Sequence, residues 1–171
     1  NYRLQRVSGG VRFSAEQVAR IGADGALTPV DGTEIQRLFT LERVDDEWSF
    51  VETMRHLVFA DDIWVGRMLS DEPGPFHPLG VPPTDTTDAG AAEMGLTLAA
   101  RPSFAEVAAL HRERRSRFTG LLLRVEDADL PRVRTAVLAP DWGEESFPVL
   151  ECLTVVVREH ADHLRFAWRD L

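Results

Sequence analysis

The sequence has no lysine, a single cysteine and no long uncharged apolar run. One cysteine, Cys152, excludes an internal disulfide framework and favours a reducing, cytoplasmic setting. Because Leu150 and Leu153 flank it, we expect its side chain to be buried as a small hydrophobe. No stretch approaches the length of a transmembrane helix or the apolar region of a signal peptide, so membrane partners are not expected.

Positive charge is also scarce. The 19 basic residues are all arginines and face 28 acidic ones, which leaves a net charge of −9. An acidic surface repels phosphate backbones, so nucleic acid is not an expected partner. With 171 residues, 44% of them apolar, the chain is long enough for one domain with its own core.

The chain is organised around one long helix, which we predict from residue 49 to about 69. Ser49 and Glu52 have the spacing of a capping box. Apolar residues cover well over one face of this helix, which predicts that other helices surround it. His56 lies near the middle, at the margin of the apolar face. The run stops at Ser70, before Pro73 and Pro75.

Two further helices are predicted after a long connection. Segment 70–102, rich in proline and glycine, is typical of a loop that folds over a cavity, with a helical turn near 89–98. A second capping box, Ser103 with Glu106, predicts a helix to about Val125. Residues 126–146 are predicted as a loop, and the last helix is predicted to start near Ser146 or Phe147. Residues 1–47 show no clear hydrophobic periodicity of a helix or a strand.

The charged face of the helix after Ser103 allows two interpretations. Arg112 to Arg117 include four arginines and one glutamate. The first interpretation is a solvated face with ion pairs along the helix. The second is a site for an anionic substrate.

The last helix carries candidate metal ligands. Glu159 and His163 lie four residues apart and therefore share one helical face. A carboxylate and an imidazole in this arrangement can hold one metal ion, and His56 can complete the set from the facing helix. His160 and His163, three apart, form a competing pair. Spacing alone also fits His56 as a hydrogen-bonded structural residue and Glu159 as the partner of a nearby arginine.

Two other histidines lack partners at ligand spacing. His77 and His111 are expected in a loop or on the surface.

Three stretches resemble the DinB-like superfamily. Asp46–Leu57 resembles its second-helix signature, Pro75–Gly80 the loop that follows, and Glu159–Leu171 its fourth-helix ending. The resemblance covers roughly residues 44–171 and implies an up-down-down-up four-helix bundle that often dimerises. It also implies a divalent metal held by one histidine of the second helix and two ligands of the last.

Carried over residue by residue, the resemblance names His56, Glu159 and His163 as metal ligands. In the commoner family pattern two histidines stand four apart. Here Glu159 occupies the position four before His163, and His160 is only three away, which favours the glutamate version of the isomerase-like branch.

We therefore expect an all-α four-helix bundle with long loops at residues 44–171, after an irregular segment at 1–43. The expected function is that of a divalent-metal enzyme using zinc, nickel or iron, similar to the branch of mycothiol-dependent maleylpyruvate isomerase. It would be a cytoplasmic homodimer that transfers or isomerises a small-molecule substrate with a mycothiol-like thiol. Arg55 or one of Arg112 to Arg117 would hold an anionic group. The alternative is a non-catalytic helical dimerisation or binding module.

Overall fold

The computed structural model describes residues 5–7, 10–12 and 48–170, with residues 5–7, 10–12, 164 and 166–170 described as backbone only. Near the N-terminus, β1 (Gln5–Val7) pairs with β2 (Gly10–Arg12) in an antiparallel hairpin. The rest of the segment 1–43, and the first helix that the resemblance implies there, lie outside the described residues.

The central helix begins where its capping box predicts. α1 covers Phe50–Asp61 and is capped by Ser49, whose backbone N–H donates to Glu52 Oε2 at 2.9 Å. The predicted extent of this helix to about residue 69 is confirmed, but its second part, from Asp62 to Leu69, is a π-helical segment. The wider π turn begins at Asp62, directly after Asp61, and both of these acids are buried.

Three further helices complete the described helical part. The short α2 (Asp88–Glu93) lies within the long connection, as expected for 89–98. α3 (Phe104–Leu122) starts at the second capping box, and α4 (Val149–Asp170) is the last helix. α1 packs against both α3 and α4, and α4 also packs against the π-helical segment. No helix among the described residues is long and apolar enough to cross a bilayer.

A second hairpin connects α3 to α4 and corrects two predictions. β3 (Val133–Val137) pairs with β4 (Glu144–Pro148) in antiparallel register, with Val133 opposite Pro148. The predicted loop 126–146 therefore contains both strands in large part, and α4 starts after residue 148, not at Ser146 or Phe147. The all-α prediction is wrong in this detail: the described chain is mostly helical but carries two small hairpins.

Alternating β-branched residues explain the first of these strands. Val133, Thr135 and Val137 stand two residues apart, the spacing that places them on one face of a strand. Side chains tie the hairpin to the π-helical segment, because Arg67 Nε donates to the Val137 carbonyl at 2.9 Å and Arg134 Nε to that of Met68 at 3.3 Å.

The apolar core has two parts that meet at the π-helical segment. The first joins this segment to α2, the long connection, the hairpin and α4, and Cys152 is fully buried in it, as expected. The second joins the segment to α3 and α4 through five buried side chains: Val65, Phe118, Val149, Leu153 and Val156. The π-helical segment is thus enclosed on several sides.

Replacing Gly66 by alanine should destabilise the protein. A Cβ at Gly66 would lie 2.5 Å from Cβ of Pro75, whose ring cannot move aside. We expect a loss of about 1–3 kcal/mol in the free energy of unfolding, in spite of alanine's better helix propensity. Urea unfolding of Gly66→Ala measures this, with Gly74→Ala as the control because nothing lies within 4 Å of a Cβ at Gly74. Equal stability of the two variants would show that the contact with Pro75 is not tight.

Candidate metal centre

His56 is held in one orientation by the long connection. Its side chain is buried in the middle of α1, and Nδ1 lies 2.9 Å from the carbonyl oxygen of Val81. The backbone N–H of Val81 in turn donates to the carbonyl of Arg55 at 3.2 Å. Donation of Nδ1–H to Val81 leaves the lone pair on Nε2, which is the arrangement found in metal-ligating histidines.

Glu159 and His163 approach the free nitrogen of His56 from α4. Glu159 Oε2 lies 3.6 Å from His56 Nε2 and 3.4 Å from His163 Nδ1. The two imidazole rings are 5.0 Å apart between centroids. One possible ligand atom from each of the three residues lies within 4.8 Å of the others. The structure therefore brings together the three side chains that the sequence singled out.

These residues fit a divalent transition metal. Two imidazoles and one carboxylate suit zinc, nickel and ferrous iron. Neighbouring ligands of a tetrahedral ion with bonds of about 2.1 Å stand about 3.4 Å apart. The separation of 3.6 Å between His56 Nε2 and Glu159 Oε2 is close to that value. His56, Glu159 and His163 would hold such an ion and leave at least one coordination position open.

The charge of Glu159 also fits the site. In the metal-free chain a proton on His56 Nε2, 3.6 Å from Glu159 Oε2, lowers the pKa of Glu159; partial burial opposes this shift, and the nearby His163 adds to it. The carboxylate is therefore ionised at neutral pH, as a metal ligand must be.

An aromatic wall borders the group. The Trp48 ring centroid lies 4.6 Å from that of His56 and 6.5 Å from that of His163, with the second pair stacked. The Phe59 ring stacks on His56 at 6.4 Å. These rings place aromatic surface beside two of the three candidate ligands.

His160, the competing candidate, points elsewhere. Its Nε2 lies 2.9 Å from Oδ1 of Asp61, whose side chain is fully buried. The His111 ring is 5.3 Å from that of His160, and burial, followed by the charge of His160, lowers the pKa of His111. The expectation that His111 is a surface residue is wrong, because its Nε2 is buried between α3 and α4.

The interpretation of the charged α3 face as solvated is wrong for two of its arginines. Arg114 Nε donates to Asp62 Oδ1 at 2.6 Å, and Arg117 pairs with Glu72. Both arginines thereby fasten α3 to the π-helical segment and the residues after it. Asp62 also accepts the backbone N–H of His77 at 2.8 Å, so His77 lies in the connection as expected and helps to anchor it.

Arg55 is engaged in a similar way. Its guanidinium donates to the carbonyls of Leu79, Ala100 and Thr97 at 2.8, 2.9 and 3.0 Å. Only 2% of Arg55 is exposed, so it fixes the connection over α1 and is not available to a substrate anion.

Sequence reasoning missed the two buried acids of the central helix. Asp61 and Asp62 are 2% and 0% exposed. A signal was present, because two adjacent acids lie in a helix that the apolar pattern predicts to be surrounded. Their partners, His160 and Arg114, are distant in sequence, and no local pattern reveals them.

Asp62 should make stability depend on pH. Burial raises the pKa of Asp62 from 3.8 to about 6, against the opposing effects of the His77 amide and Arg114. The folded state therefore binds the Asp62 proton more tightly than the unfolded state does. The stabilisation that this proton gives to the folded state is complete below pH 3.8 and is lost as the pH rises through about 6. Relative to Asp62→Asn, the wild-type free energy of unfolding should fall by about 1–3 kcal/mol over this range. Urea unfolding at a series of pH values tests this, and parallel profiles would contradict it.

Comparison with known proteins agrees with the sequence motifs. The family model of the DinB superfamily matches residues 17–167. Comparisons with curated proteins and with solved structures gave no match. The family match includes α1, the connection and the part of α4 that carries Glu159 and His163, and it confirms the resemblance read from residues 44–171. The chain belongs to the DinB superfamily.

Proposed function

We propose that the protein is a divalent-metal-dependent enzyme that uses a low-molecular-weight thiol of the mycothiol type in an S-transfer or isomerisation reaction. The observation that carries the proposal is the group His56, Glu159 and His163, whose ligand atoms lie within 4.8 Å of one another. Three protein ligands with an open position are typical of catalytic metal sites, whereas structural sites are closed by four.

The chain's own residues supply binding and orientation. The Val81 carbonyl keeps Nε2 of His56 available, and the lowered pKa of Glu159 keeps its carboxylate charged. Trp48 places an aromatic ring beside His56 and His163. A divalent ion held by His56, Glu159 and His163 would supply a Lewis acid that lowers the pKa of a bound thiol.

The reacting thiol would come from outside the chain. Cys152 is fully buried, and burial raises the pKa of its thiol to about 11. A buried, protonated thiol is inert as a nucleophile. Since the sequence has only this cysteine, thiol chemistry at the candidate centre requires a separate thiol compound.

Few of the candidate arginines are free to bind an anionic group of that compound. Arg114 and Arg117 are paired with carboxylates, and Arg55 is covered by the connection. Of the residues named from the sequence, the exposed Arg112 and Arg115 remain as candidates.

A cobalt-substituted protein tests the thiol part of the proposal. Co²⁺ is added to the metal-free full chain, followed by mycothiol, and absorption in the near ultraviolet reports thiolate bound to cobalt. We expect this band in the wild type but not in His163→Ala. We also expect metal-dependent conjugation of mycothiol to chlorodinitrobenzene. A protein that binds Co²⁺ but gives neither the band nor the conjugate contradicts the thiol assignment. A protein that binds no metal supports the non-catalytic helical module.

A further inference from the structure

We propose that Asp61 and His160 form a clamp between α1 and α4 that positions the ligands Glu159 and His163, an inference that rests on the proposed metal centre. His160 Nε2 donates to Asp61 Oδ1 at 2.9 Å. The pair joins the two helices that carry the three ligands.

Because both side chains are largely buried, loss of the hydrogen bond between Asp61 and His160 would be costly. The Asp61 side chain is 1% exposed and that of His160 13%. The other oxygen, Oδ2, has no hydrogen-bond partner among the described residues. His160 is therefore the side-chain partner that compensates for the burial of this carboxylate. Because an unpaired buried acid is costly, α4 is held in the orientation that keeps His160 on Asp61.

The position of His160 on α4 couples this orientation to the ligands. Each residue turns a helix by about 100°, so Glu159, His163 and His160 lie within an arc of about 100°, with His163 in the middle. A rotation of α4 by about 10° moves an atom at a radius of about 5.5 Å by about 1 Å. Functional sites need their groups held within about 0.5 Å. The His160 contact restricts this rotation.

The position of Asp61 on α1 makes the clamp a second contact point with α4, separate from that of His56. Asp61 follows His56 by five residues, about 7.5 Å along the helix axis. The contact of Asp61 with His160 and the approach of His56 to Glu159 are thus two separate points between the same pair of helices. Two points fix both the separation and the rotation of the helices, which one point does not. His111 of α3 also packs against the His160 ring, so α3 contacts the clamp as well.

The experiment measures Zn²⁺ affinity of the full chain by competition with a chromophoric chelator. His160→Leu removes the donor to Asp61, while His160→Gln keeps an N–H near the position of Nε2. We expect His160→Leu to bind Zn²⁺ about 10–100-fold more weakly, as is typical when a residue supporting a ligand is lost, and His160→Gln to stay within about threefold of the wild type. Asp61→Asn, which keeps the acceptor, should also stay within about threefold.

A destabilised control separates positioning from loss of stability. Leu153→Ala removes a buried side chain of α4 in the second core cluster and should cost about 2–5 kcal/mol of stability. Its Zn²⁺ affinity should remain within about threefold of the wild type. The proposal is overturned if His160→Leu binds Zn²⁺ as tightly as the wild type, or if Leu153→Ala loses as much affinity as His160→Leu.

Hydrogen exchange of the metal-free proteins distinguishes failure of the clamp from failure of the metal proposal. We expect the backbone amides of residues 157–163 to exchange faster in His160→Leu than in the wild type, and His160→Gln to restore slow exchange. A wild type that binds no Zn²⁺ contradicts the proposed function. In that case, unchanged exchange in His160→Leu also overturns the helix-orienting role of the pair.

Discussion

Replacing His56 by alanine should lower the affinity for a divalent metal by at least about 100-fold. Loss of a residue that merely supports a ligand costs about 10–100-fold, and loss of the ligand itself costs more. His56 is also the one member of the group on α1, so its removal leaves Glu159 and His163 of α4 alone. Elemental analysis of protein purified without a histidine tag measures the bound metal.

His77→Ala is the matched control for this substitution. It removes the same kind of side chain from the connection, where the imidazole accepts the N–H of Leu79 at 3.1 Å. Its backbone bond to Asp62 is unaffected by the change. We expect His77→Ala to retain wild-type metal content. Equal metal content in the wild type and His56→Ala would contradict the role of His56.

Replacing Arg55 by leucine should cause a large loss of stability. Three backbone carbonyls, those of Leu79, Thr97 and Ala100, lose their charged donor at once. Removal of one partner from a buried charged arrangement costs about 3–5 kcal/mol. Metal affinity should fall as well, because the connection that Arg55 anchors also supplies the Val81 carbonyl to His56.

Arg101→Leu provides the comparison for Arg55. Arg101 is exposed and also donates to the Ala100 carbonyl, at 3.1 Å. Since it lies at the surface, its loss should change the free energy of unfolding by no more than about 0.5 kcal/mol. Thermal and urea unfolding of both variants measure the two losses of stability. A loss below about 1 kcal/mol in Arg55→Leu would contradict the anchoring role.

Local signals were sufficient to predict where α1 and α3 begin. The capping boxes at Ser49 and Ser103 placed α1 and α3 correctly, since their hydrogen bonds span three residues. The hairpin was missed because its two strands are five residues each and only β3 has β-branched residues in alternation. β4 consists largely of polar residues before Pro148, which resembles the start of a helix.

The candidate site was only partly predictable, because contacts between residues distant in sequence leave no local pattern. The spacing of Glu159 and His163 on one helix is a local property, and His56 was named from its place on the central helix and then from the family resemblance. By contrast, the pairing of His160 with Asp61 spans 99 residues and has no local signature. The choice between Glu159 and His160 therefore depended on how α4 is rotated against α1, which only the packed structure defines.

Anomalous diffraction from crystals of the metal-loaded protein tests the central claim most directly. The account requires one strong peak between α1 and α4, about 2.0–2.2 Å from His56 Nε2, a Glu159 carboxylate oxygen and a ring nitrogen of His163. A peak bound by other residues, or ring nitrogens of His56 and His163 that point away from each other with no peak between them, would contradict it.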